Sequence, residues 1–151
     1  MRIAALAVAL LLVLASAGCR RIPPHPGPPP APPEDSAVRF ARATWQALCR
    51  GDAKVASQID WPRFKAFGDD VAARWQAAAL PAARRQCQTK FITDFGRRSA
   101  AGKELANLPG WAVTRGAGDI IVTAKMGPAT LYFRVARRGL GYRLESVDTA
   151  L

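Results

Sequence analysis

Eight of the chain's 12 prolines lie between Pro23 and Pro33, within the run RRIPPHPGPPPAPPED over residues 20–35. Proline removes a backbone donor and fixes φ, so this run is excluded from helices and from central strands. Its expected form is an extended polyproline-II spacer, about 3.1 Å per residue and on the order of 50 Å in all. Everything that packs must come from one side of it. Residues 1–19 are too short for a domain, so the folded part is 36–151, about 116 of the 151 residues. That suffices for one core and not for two. The chain is 50% hydrophobic and 22% charged, which excludes disorder along its whole length.

The N-terminal residues read as an address. Met1-Arg2 is a short positive start, Ile3 to Leu14 is unbroken apolar sequence, and Ala15-Ser16-Ala17-Gly18-Cys19 follows. Twelve apolar residues fall short of the roughly 20 that span a bilayer, and the pattern fits a secretory signal. Two cleavage sites compete. Ala15-Ser16-Ala17 fits ordinary secretion, whereas Ala17-Gly18-Cys19 resembles the end of a bacterial lipoprotein signal, although Ser16 stands where a large aliphatic residue is usual. On the second reading residues 1–18 are removed, Cys19 carries the acyl chains, and 19–35 is the anchor and linker. Arg20 after the cysteine resembles lipoproteins sent to an outer membrane. The protein is then expected in the bacterial envelope, facing the periplasm, with a soluble secreted or periplasmic form as the alternative.

The remainder reads as helices followed by strands. Val38, Ala41, Trp45 and Leu48 recur at helical spacing after Ser36, a possible N-cap. Gly51-Asp52 closes that helix. Short helices are expected over Ala53–Ile59, from Asp60-Trp61-Pro62 to about Phe67, and over Asp69–Ala79. A longer one from Pro81 carries Cys87, Phe91, Ile92 and Phe95 and runs toward Leu105. After Pro109 the period changes. Trp111–Thr114, Asp119–Met126, Thr130–Arg137 and Tyr142–Val147 read as strands, with Leu131, Phe133 and Val135 on one face. Glycines at 116, 118, 127, 139 and 141 mark turns. The fold class is therefore α+β, with N-terminal helices on a curved antiparallel sheet of about four strands.

The stretch WQALCRGDAKVASQIDWPRF resembles the opening of nuclear-transport-factor-like domains, in which a first helix ends in Gly-Asp and short helices precede a curved sheet that wraps a long helix. The resemblance implies a cone with a pocket between sheet and helices. A second resemblance is to periplasmic phospholipid carriers, although no residue motif selects that family.

Chemistry-bearing residues are few. With Cys19 lipidated, Cys49 and Cys87 remain, and an exported protein makes them a disulfide candidate, closing a 38-residue loop worth about 4 kcal/mol in the chain-entropy model. No His lies near either thiol to activate it; the single His, His25, falls in the linker. No phosphate loop, nucleophile elbow or metalloprotease motif occurs. No catalytic, metal or cofactor site is expected. Asp60, Asp69 and Asp70 read as helix caps. Asp94, Tyr132 and Tyr142 are loose candidates for pocket chemistry, and Trp45, Trp61, Trp75 and Trp111 read as core aromatics.

Setting aside Arg2, Arg20 and Arg21 and the acids Glu34 and Asp35 leaves 19 basic and 9 acidic side chains in 36–151. The pairs Arg97-Arg98 and Arg137-Arg138 are candidate contacts for an anionic partner. Export disfavours nucleic acid and favours a lipid head group, a cell-wall polymer or an acidic envelope protein. The expected role is a non-catalytic binding or accessory module tethered to the membrane, with a carrier of an apolar ligand as the alternative. The intact mass of the mature protein checks the anchor: a chain beginning at Cys19 and carrying acyl mass is expected, and a chain beginning at Gly18 without it refutes the anchor.

Overall fold

The computed structural model describes residues 34–100 and 103–150, without the side chains of Lys103 and Glu104. The signal, the lipidation site Cys19 and most of the linker lie outside the described residues. The described residues form one compact unit. Its elements in chain order are helix α1 (Ser36–Cys49), a 3₁₀ segment (Ala53–Gln58), strand β1 (Lys65–Ala66), helices α2 (Val71–Ala77) and α3 (Pro81–Ser99), a second 3₁₀ segment (Lys103–Asn107), and strands β2 (Ala112–Arg115), β3 (Ile120–Met126), β4 (Ala129–Arg138) and β5 (Gly141–Ala150). Among the described residues no helix is long and apolar enough to cross a membrane.

Helix α1 lies directly on the sheet. Val38, Ala41, Trp45 and Leu48 are buried as their spacing requires, and the helix contacts β2 through β5. Its N-cap is Asp35 rather than Ser36: the Asp35 carboxylate accepts the Ala37 amide at 2.8 Å. Arg115 donates two further bonds to that carboxylate, at 2.9 and 2.8 Å, and holds it below the usual carboxylate range. The linker's last residues are thus already part of the fold. Helix α3 packs on α1 and on the first 3₁₀ segment, giving three layers: sheet, α1, α3.

The sheet has five strands in the order β1-β5-β4-β3-β2, not about four, and is mixed rather than antiparallel. The additional strand comes from a segment that the sequence reads as helix. Instead of continuing from Pro62 to Phe67, the chain turns at Trp61–Arg63 and runs beside β5, with Lys65 opposite Ser146 and Ala66 opposite Val147, in parallel. The Asp60 amide donates to the Leu144 carbonyl and the Phe67 amide to the Val147 carbonyl, both at 2.9 Å. These bonds cover part of an otherwise open sheet edge, which is the tertiary gain that overrides local helix preference. Asp60 therefore does not cap a helix. Asp70 does: it accepts the Ala73 amide at 3.0 Å. The long helix stops at Ser99 instead of reaching Leu105.

Strand β4 alternates as expected, with Leu131, Phe133 and Val135 buried. A bulge opposite it pairs Arg134 with Ser146 but Val135 with Leu144. Glu145 is the extra residue, so Leu144 and Val147 both face the core although they are three apart.

Where α1 ends, Gly51 adopts φ +67 and meets Gly96 of α3 backbone to backbone. A Cβ on Gly96 would lie 2.6 Å from both the Cα and the N of Gly51. Alanine normally favours a helix over glycine by about 1 kcal/mol, but these backbone atoms have no rotamer by which to move aside. We expect Gly96→Ala to destabilise the fold by about 1–3 kcal/mol net, read from its urea midpoint; a midpoint at or above that of the wild type refutes the contact.

Candidate binding groove

Two adjoining hollows form a groove beside α3. The outer one, of about 470 Å³, is edged by Arg74, Lys90, Arg97 and Arg98, with Asp69 and Asp94 among them. The inner one, of about 370 Å³, is lined by Trp45, Phe67, Phe95, Leu105 and Met126. Asp69, Phe91 and Arg98 belong to both, so a charged approach leads into an aromatic recess.

The helical repeat builds this arrangement. Phe91, Phe95 and Arg98 share one side of α3, while Lys90, Asp94 and Arg97 lie along its exposed flank. Lys90 donates to Asp94 at 2.8 Å, and Arg97 stands 3.6 Å from the same carboxylate. Lys90 holds the Asp94 carboxyl below its ordinary range, which makes it a poor proton donor near neutral pH. Arg74 reaches Asp69 at 2.6 Å. Three of the four cations thus share two carboxylates. Arg98 bonds only the Asp94 backbone carbonyl, at 3.3 Å.

The recess is closed on one side by Phe67, the sole non-glycine residue with positive φ (+53) among the described residues. This conformation costs a bulky residue of order 1–3 kcal/mol. It places the ring, 44% exposed, in a near-parallel stack on Phe95 with centroids 6.2 Å apart. Trp45 forms the floor; its indole N–H donates to the Leu105 carbonyl at 2.6 Å, and its ring meets Phe95 edge-on at 5.4 Å.

The two arginine pairs do not meet. Arg98 shares the recess with Met126, which pairs with Ala129 at the start of β4. Arg137 and Arg138 end the same ten-residue strand, about 30 Å away along it. Arg138 is further occupied by Asp60 at 3.1 Å and by Glu145, two carboxylates only 13% and 16% exposed. It clasps β4, β5 and the turn after the first 3₁₀ segment together. Of the loose candidates, only Asp94 lines the groove. Tyr132 points outward from the sheet. Tyr142 packs on Phe40 at 5.7 Å, and the Ser36 hydroxyl, then Arg115, lower its phenol from the usual value. Trp45 and Trp61 are core residues, while Trp75 and Trp111 are half-buried.

Cys49 and Cys87 are both free thiols, so the expected disulfide is not formed. Cys49 lies against the Ser99 hydroxyl, whereas Cys87 is twelve residues earlier on α3, about 18 Å along the axis. A disulfide requires Cα atoms within about 7 Å. The sequence pairs the two cysteines by compartment alone and does not register their different heights on the helix.

The groove residues that sequence reasoning missed are Phe67, Arg74 and Lys90. The spacing of Phe91, Phe95 and Arg98 was the available signal; nothing local marks Phe67 as aromatic cover, because its placement depends on pairing with β5.

No family model matches the chain, and no curated protein matches it in sequence. Among solved structures, the chain is similar to an NTF-2-like protein of unknown function from Silicibacter pomeroyi DSS-3, with 17% identity over 76% of this chain and 92% of that one and a TM-score of 0.41. That likeness is too loose to transfer a role to any residue.

Burial pushes the Cys49 thiol above its ordinary pKa, whereas Cys87 lines the open outer hollow. Iodoacetamide is expected to alkylate Cys87 in the native protein and Cys49 only after unfolding. Equal labelling of the two, or a mass gain on reduction from an intramolecular bond, refutes this.

Proposed function

We propose that the domain is a non-catalytic binding module for an anionic amphiphile, held at the periplasmic face of the bacterial outer membrane through Cys19 and its proline-rich spacer. The observation that carries the binding reading is the continuity of the groove, in which a surplus of cations leads straight into an aromatic recess. An anionic head group meets Arg97 and Arg98 at the approach, and its apolar body displaces water from Phe67, Phe95, Leu105 and Met126. This unites the two expectations of an anionic partner and an apolar ligand, since one molecule of mixed character satisfies both halves. The carboxylates of the groove are already paired with cations, which supports binding over proton transfer. The anchor rests on the apolar run before Cys19 and on the spacer that follows it.

Oleate and its uncharged analogue oleyl alcohol are suitable probes in titration calorimetry. Arg98→Ala is expected to weaken oleate about fivefold, the equivalent of ~1 kcal/mol for an exposed charge contact, and to leave oleyl alcohol unchanged. Phe67→Gly is expected to weaken both, without loss of stability, because glycine accepts the left-handed conformation. Absence of saturable oleate binding, or binding indifferent to both substitutions, overturns the reading.

A further inference from the structure

The chain enters the fold at a particular end of the molecule. Asp35 is gripped by Arg115, the Ser36 hydroxyl meets the Tyr142 hydroxyl at 3.0 Å, and Phe40 packs on the same tyrosine. Tyr142 follows the tight turn between β4 and β5. That turn has two loop residues, Gly139 and Leu140, between the paired Arg138 and Gly141, with Gly139 at φ +57 as short hairpins require. Its tip presents Leu140, 103% exposed.

A second apolar tip is carried by the loop before α3. Leu80, in the loop between α2 and α3, is 67% exposed. A shallow hollow of about 330 Å³ brings Trp75 of α2 together with Trp61, Arg138 and Arg143, and Arg84 ties the Leu80 loop to it by donating to the Ala78 carbonyl and lying 4.5 Å above the Trp75 ring. The acids beside the hollow, Asp60 and Glu145, are taken by Arg63 and Arg138. Arg84 and Arg143 bond backbone carbonyls, and Arg85 and Arg137 have no carboxylate partner among the described residues. Single exposed leucines are ordinary on protein surfaces. Two at the tips of loops linked through Trp75, among four arginines without acid partners, are a different matter.

We propose that this end docks onto a membrane surface rich in anionic phospholipid, with Leu80 and Leu140 entering the interface and Arg84, Arg85, Arg137 and Arg143 lying among the head groups. A soluble polyanion gives no role to the apolar tips, and two copies meeting through this end bring like charges together. Half-buried Trp75 and Tyr142 suit the interfacial zone. Asp35 and Ser36, which precede or open α1, lie beside the hairpin through Arg115 and Tyr142. The inference does not depend on the groove reading, whose Met126 section is at the far end of β4.

The test is hydrogen exchange of the full chain reconstituted in phosphatidylcholine vesicles, with and without phosphatidylglycerol. The Gly139–Gly141 amides and those around Leu80 are expected to slow only where phosphatidylglycerol is present, and to recover in high salt. Leu140→Asp is expected to abolish that protection. Arg137→Gln is expected to lower it about fivefold, the value of one cation at an anionic surface. Identical exchange on the two vesicles overturns docking even if the chain remains anchored. So does protection that survives Leu140→Asp and salt, or protection that grows with protein concentration in the absence of vesicles, which assigns this end to a second copy.

Discussion

Trp45 is the contact on which the three layers depend. It is buried between the sheet and α3, meets Phe133 of β4 edge-on at 5.5 Å and Phe95 of α3 at 5.4 Å, and donates its indole N–H to the Leu105 carbonyl. One side chain thus joins sheet, first helix, long helix and the segment that follows. An aromatic of this size contributes large buried area, and its single polar atom is satisfied. The Gly51–Gly96 approach sets how closely α3 crosses the end of α1, and therefore how deep the recess above Trp45 can be.

Polarity follows from this frame. At one end lie the entering chain and the β4–β5 hairpin; toward the other lie the end of α3, Met126 and the aromatic recess. The positive charge is divided along the same axis. One part edges the groove with a modest surplus of cations, and another gathers around Leu80 and Leu140. These two groups of cations have different apolar companions and do not form one face.

Ion pairs on this surface do different work according to burial. Lys90–Asp94 is exposed and screened, and its effect is mainly to keep Asp94 ionised. Arg138 with Asp60 and Glu145 ties three chain segments through two mostly covered carboxylates. Losing Arg138 would leave both to Arg63 alone, at 3.3 and 3.9 Å, so the residue that looks most like a docking cation in the sequence is a structural one, while its neighbour Arg137 has no carboxylate partner among the described residues.

The sequence by itself determined the elements whose cause is local. The 3.6-residue recurrence from Val38 to Leu48 fixed α1, the alternation from Leu131 to Val135 fixed β4, Pro81 opened α3, and Asp70 capped α2. Arg98, one of a conspicuous pair in the sequence, lines both hollows of the groove. Tertiary structure decided whatever depended on partners distant in the chain. The backbone of Lys65–Ala66 became a strand because β5 had an edge to cover, and that choice forced Phe67 into a left-handed conformation over the recess. Cys49 and Cys87 stayed apart because Cys49, at the end of α1, meets α3 at Ser99, twelve residues beyond Cys87. The arginine pairs, similar as dipeptides, were separated by the length of a strand. Local periodicity reports which face of an element is apolar; only packing reports which faces meet, and the groove is made where they do not quite close.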